Sequence, residues 1–225
     1  MTRAHRGTGS GSAIPASRWV APAMVVAWVA GAWLSRTIGA WLGLGCTALV
    51  LAAWVLAREG ASVRALLRPR ASALGAGLVA GVGMTVASKL LYAPLSSRIP
   101  LIASDVARLY GQLGAGSAIS SFTRAMALVP VILGEELVWR GVVQGALARR
   151  MGGWWAILVG TLLYGLAHAP LGSPVLVATA LSCGLAWGGL RHVTAGLVAP
   201  LVAHLIWDEM VLLVVPVVPV VPPRL

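Results

Sequence analysis

Charge is what this chain has least of. Only 10% of its 225 residues are charged, with six acidic side chains against 17 basic ones, and 59% are hydrophobic. A soluble domain carries about 25% charged residues, which solvate its surface. So little charge excludes a water-soluble globule. The high hydrophobicity excludes a disordered chain, which must be polar and charged. Cysteine is scarce too. Cys46 and Cys183 both lie in apolar runs, which excludes a disulfide scaffold and reads as two small buried residues. The net charge of +11 is of a kind shared with nucleic-acid binders. Its distribution argues for no nucleic acid partner: the arginines stand singly or in short groups between long apolar runs, as in membrane loops. What remains is a polytopic integral membrane protein.

The apolar runs predict an all-α, polytopic transmembrane helical bundle. Spans are expected near 19–34, 38–56, 71–95, 125–147, 154–169, 174–190 and 194–215. That is about seven spans, with six or eight allowed by the uncertainty of the boundaries. Residues 1–17 form a polar Gly/Ser tail, expected to be disordered, and the first apolar run is expected to be retained as a span. Residues 18–215 make one membrane domain without internal repeats, and 216–225 are a Val/Pro tail that cannot continue a helix. Between 96 and 124, Ile102, Val106, Leu109 and Leu113 recur at helical spacing with Asp105, Arg108 and Gln112 opposite, which predicts an amphipathic interfacial helix. With the N-terminus cytoplasmic, inner segments carry ten arginines and outer segments five, the bias expected for that orientation. The ten tryptophans fall mostly near span ends and read as interface anchors; Trp139, Trp187 and Trp207 are candidates to line a substrate cavity, with packing the favoured reading.

Six acids can be placed one by one. Glu59 and Asp105 are expected in loops. Glu135 and Glu136 fall in the middle of the fourth span, and Asp208 and Glu209 in the middle of the seventh. An ionisable group near the bilayer centre costs roughly 2.5–3.5 kcal/mol on insertion scales, so it persists where it faces a polar interior and has partners. Glu136 and Arg140 are four apart and share a helix face, which predicts a structural ion pair. Glu135 points about 100° away and is free for something else. Tyr164 and His168 in the fifth span, and His204 and Asp208 in the seventh, have the same spacing.

At about 1.5 Å per residue, Glu135, His168, His204 and Asp208 fall within one depth band of the bilayer. Two carboxylates and two imidazoles would then surround one buried cavity. A carboxylate near a histidine can activate water as a general base, and a second histidine can stabilise an oxyanion. The same four residues, Glu135, His168, His204 and Asp208, are also candidate ligands for zinc or another divalent metal. Both routes end at hydrolysis of a carbonyl substrate, and spacing does not choose between them.

These residues resemble the CPBP family of intramembrane proteases (CAAX protease and bacteriocin-processing, also called Abi). Its EExxxR motif is matched by Glu135, Glu136 and Arg140. Its FxxxH motif is matched by Tyr164 and His168, with tyrosine for phenylalanine. Its HxxxN or HxxxD motif is matched by His204 and Asp208. The resemblance covers about residues 125–210. It implies that Glu135, helped by His168, activates the attacking water, that Glu136 and Arg140 are the structural pair, and that His204 and Asp208 serve the oxyanion. An ionised aspartate repels an oxyanion, so Asp208 must be protonated, orient His204 or bind a metal. The resemblance also implies a glutamate mechanism with no required cofactor, and a peptide or protein substrate, lipidated or membrane-associated, met among membrane lipids. A bacterial inner membrane is the expected location.

Two other functions fit the residues. One is a non-proteolytic immunity or scaffold membrane protein of the same fold. The other is an ion or proton transporter, since buried carboxylates and histidines also build relays, although the internal repeats common in transporters are missing. A nucleophile-elbow serine is absent. Glu209 is expected to line the cavity, and His192 to lie in a loop.

Overall fold

A computed structural model describes residue 14 and residues 18–113 and 120–217. Among them the secondary structure is helical throughout: α1 (Val20–Ile38), α2 (Cys46–Leu66), α3 (Ala71–Arg98), α4 (Pro100–Gln112), α5 (Ser121–Glu136), α6 (Gln144–Met151), α7 (Gly153–Ala167), α8 (Pro174–Thr194) and α9 (Val198–Asp208). Three π-helical turns extend these rods. Trp41–Gly45 opens α2, Leu137–Val143 joins α5 to α6, and Glu209–Val214 continues α9. A helix satisfies its own backbone donors and acceptors, which is what a lipid-embedded chain requires. The result is an all-α helical membrane bundle.

Five segments are long and apolar enough to cross a membrane: Val20–Ile38, Trp41–Leu66, Ala71–Arg98, Gly153–Leu171 and Pro174–Thr194. The two other rods, α5 through α6 and α9 with its π turn, carry the first and third motifs. Glycines at positive φ break the chain direction: Gly39 ends α1 at 86° and Gly152 separates α6 from α7 at 84°. Pro100 and Pro174 sit in the first turns of α4 and α8, where their missing N–H is no loss.

The core is built from Trp28, Leu137, Val138, Trp139, Val142 and Trp187, all nearly inaccessible. Outward-facing side chains such as Val79, Leu90, Leu158 and Leu162 are large and apolar, as expected for a lipid-facing surface. Trp19, Trp33, Trp154 and Trp155 are exposed near helix ends and fit interface anchors, whereas Trp28, Trp139 and Trp187 are buried. Helix α9 is seated against α3 through small residues. A Cβ on Gly81 would come 2.8 Å from Ile206 Cβ and 3.0 Å from the Ala203 carbonyl, so only glycine permits this approach.

Several expectations change. Asp105 is not in a loop: it lies in α4 and is 2% exposed, and so faces inward rather than joining an outer polar face. Glu59 lies within α2, at a kink with φ −127° and ψ 23°. Cys183 is buried as expected, but Cys46 is exposed. Most of the expected tail at 1–17 lies outside the described residues. Ile14 is described and is buried, its carbonyl accepting a 2.9 Å hydrogen bond from Arg149. Of the C-terminal tail, only residues 216 and 217 are described.

Candidate active site

Helix α5 starts at Ser120, whose hydroxyl accepts from the Thr123 N–H at 3.1 Å. It ends at the paired glutamates. A Cβ on Gly134 would lie 2.6 Å from the Ala48 carbonyl, so glycine lets α5 press against α2 one residue before Glu135. Immediately after Glu136 the chain widens into the π turn Leu137–Val143, all of it buried. Such turns add a residue to the ladder and rotate the rest of the helix, and they recur at functional sites. A second π turn, Glu209–Val214, begins directly after Asp208. Two of the three motif-bearing rods therefore change helical register at the motif.

Across the bundle, the motif residues meet. Arg140 Nη1 lies 3.4 Å from Glu136 Oε1, the expected pair. The same oxygen accepts from His204 Nδ1 at 2.9 Å. Glu136 thus joins α5 to α9 as well as neutralising Arg140. A carboxylate only accepts, so His204 carries a proton on Nδ1. Its Nε2 faces two further carboxylates, Asp208 Oδ2 at 3.5 Å and Glu135 Oε2 at 3.8 Å. Tyr164 donates its hydroxyl to Glu135 Oε2 at 2.9 Å. The tyrosine that replaces the motif's phenylalanine has the partner its buried hydroxyl needs.

His168 caps the C-terminus of α7. Its Nδ1 is 2.8 Å from the Tyr164 carbonyl. Since a carbonyl only accepts, Nδ1 is the protonated nitrogen, and Nε2 of the neutral ring carries a lone pair. The ring packs edge-on to Tyr164 with centroids 4.7 Å apart. His168 makes no ion pair with Glu135; the imidazole close to that carboxylate is His204.

Exposure separates the two glutamates. Glu136 is fully buried, whereas the Glu135 and Asp208 side chains retain 12% and 14% of their surface. The accessible rim of the cluster is therefore Glu135 and Asp208, and its sealed floor is Glu136 and Arg140. Glu209 is half-buried, and its carboxylate takes part in none of these contacts.

Aromatic rings complete the walls. Trp187 of α8 stacks on His204, with centroids 3.6 Å apart and planes inclined by 19°. The Arg140 guanidinium lies 4.3 Å from the Tyr164 ring centroid and 5.0 Å from that of Trp187. Such placement stabilises a cation that is shielded from water. Trp28 of α1 lies against both Trp139 and His168. Trp187, a candidate cavity-lining residue from sequence, and Trp28, which sequence reading did not single out, both touch the site without belonging to a motif. Among the described residues, no three His, Cys, Asp or Glu side chains are gathered as a metal ion would require.

The site is a cluster of carboxylates and imidazoles converging in the interior of a polytopic helical bundle. Residues 117–210 match the family model described as type II CAAX prenyl endopeptidase Rce1-like. The match covers less than half of the chain and supports an assignment of this region to the CAAX-type (CPBP) protease family. No curated protein and no solved structure matches the chain.

Proposed function

We propose that this protein is an intramembrane endopeptidase in which Glu135 and His168 activate the attacking water. The observation that carries the reading is the placement of Glu135. Tyr164 fixes one of its oxygens, the carboxylate keeps some access, and its sealed neighbour Glu136 takes the structural role. In this reading Glu135 accepts the water proton, aided by the His168 Nε2 lone pair, as the water oxygen attacks the scissile carbonyl carbon. With the His204 Nδ1–H held by Glu136, its Nε2–H is the donor left for the oxyanion, and Asp208, 3.5 Å from Nε2, orients the ring. Collapse of the tetrahedral adduct breaks the C–N bond, and Glu135 returns its proton to the leaving amine.

The substrate is proposed to be a peptide segment that enters from the lipid, lipidated or membrane-associated. The proposed location is a bacterial inner membrane, and the arginine distribution supports a cytoplasmic N-terminus. No metal takes part in this reading. The experiment is peptide cleavage by purified protein in detergent, with and without chelator. Replacing Glu135 or His168 by alanine is expected to abolish cleavage while leaving the fold intact. Chelator-sensitive cleavage restored by zinc, with stoichiometric metal, would transfer Glu135, His168, His204 and Asp208 to a metal-ligand role. A Glu135→Ala variant with full biological effect would favour the non-proteolytic scaffold.

A further inference from the structure

Helix α4 lies before the region matched by the family model, yet it is tied to both sides of the site. On one side, Asp105 Oδ2 accepts from the Ser173 hydroxyl at 2.6 Å and from the Val175 N–H at 3.0 Å. Ser173 in turn caps α8 by accepting from the Leu176 N–H at 2.9 Å. Arg108 pairs with Asp105 and donates to the Gly172 carbonyl at 2.9 Å. These bonds grip the turn that comes directly after His168 and the first turn of α8, the helix that carries Trp187.

On the other side, Tyr110, 6% exposed, donates to the Val211 carbonyl and accepts from the Val217 N–H at 3.1 Å. Val211 lies in the π turn that begins directly after Asp208. Holding an amphipathic helix to a bundle needs only its apolar face. It does not need a buried carboxylate, which is costly unless paired and hydrogen-bonded. Here Asp105 is both, and each tether ends within a few residues of a proposed site residue.

We propose that α4 is a clamp that fixes the separation of the His168 side of the site from the Asp208 side, with Asp105 and Tyr110 as its positioning residues. The effect on rate rests on the proposed protease reading; the effect on separation does not. The test uses the full chain in nanodiscs with Cys46 replaced by serine and nitroxide labels at Ala169→Cys and Val214→Cys, both of which are exposed positions. The unlabelled variants Arg108→Ala, Asp105→Asn and Tyr110→Phe are assayed for peptide cleavage in parallel. Arg108 has a half-exposed side chain and Tyr110→Phe removes one oxygen, so both variants are expected to fold even if Asp105→Asn does not.

The clamp predicts a broadened label-to-label distance distribution in each folded variant. It also predicts that kcat falls by about ten- to a hundredfold while KM stays within about twofold, as for small misplacements remote from the chemistry. A merely structural anchor would lower the thermal midpoint without moving kcat. An unchanged distance distribution, or a broadened one with wild-type kcat, overturns the clamp. If the wild-type chain cleaves no peptide, the protease reading fails, and the clamp stands or falls on the distance distribution.

Discussion

The Tyr164 hydroxyl donates to Glu135 Oε2 at 2.9 Å, joining the second motif to the first across two helices. The bond orients the one glutamate of the pair that keeps access to the site. Tyr164→Phe removes it while keeping the ring that packs on His168 and Arg140. The expected outcome is an intact fold with kcat lowered about fivefold to tenfold, in line with a hydrogen bond worth about 1–1.5 kcal/mol. Steady-state cleavage alongside thermal unfolding checks it.

Glu136 should behave differently from its neighbour. It is fully buried between Arg140 and His204. Glu136→Ala leaves a buried guanidinium without its carboxylate, a loss of about 3–5 kcal/mol. Glu135→Ala, at the rim, should cost far less. The fraction of each variant that stays monodisperse after heating separates the two.

Gly134 permits the close approach of α5 to α2. In Gly134→Ala the added Cβ meets the Ala48 carbonyl at 2.6 Å, so one helix must shift. Overpacking of this kind costs about 1–3 kcal/mol. The shift begins one residue before Glu135, so cleavage should drop as well. A larger residue at Gly75, which has open space around it, is the control expected to leave both unchanged.

Asp105 lies outside the spans and is expected to make stability depend on pH. Burial by itself would raise its carboxyl, but hydrogen bonds from Ser173 and the Val175 N–H, with Arg108 beside it, outweigh burial and hold it below its ordinary value of 3.8. A depressed folded-state value means that the carboxylate adds stability above the unfolded value, and that this is lost as pH falls through the folded one. Wild type should therefore lose thermal stability as pH drops below about 4. Asp105→Asn should be less stable at neutral pH and lack that part of the acid-dependent loss. Thermal midpoints measured from pH 3 to pH 7 on both proteins check this.

Much of the site could be read from sequence because charge in an apolar span has few explanations. Glu135, Glu136 and Asp208 stood out for that reason, and four-residue spacing paired Glu136 with Arg140 and His204 with Asp208. What escaped depends on contacts between distant segments. The bond from His204 to Glu136 spans 68 residues and two helices. The stacking of Trp187 on His204 needs the relative rotation of α8 and α9. The π turns leave no mark in residue type, since they change the hydrogen-bond register rather than composition. Asp105 misled for a related reason: its spacing with Arg108 and Gln112 resembles a solvated helix face. Besides Arg108, its partners are the Ser173 hydroxyl and the Val175 N–H, 68 and 70 residues away.

The central claim is that Glu135 is the base that activates water. The most direct measurement is the single-turnover cleavage rate of wild type and Glu135→Gln on the same membrane-inserted peptide, since glutamine keeps the shape and the Tyr164 contact but cannot take a proton. A base at Glu135 predicts a rate at least about a hundredfold lower for Glu135→Gln, with peptide binding unchanged. A Glu135→Gln enzyme that cleaves at the wild-type rate would contradict it.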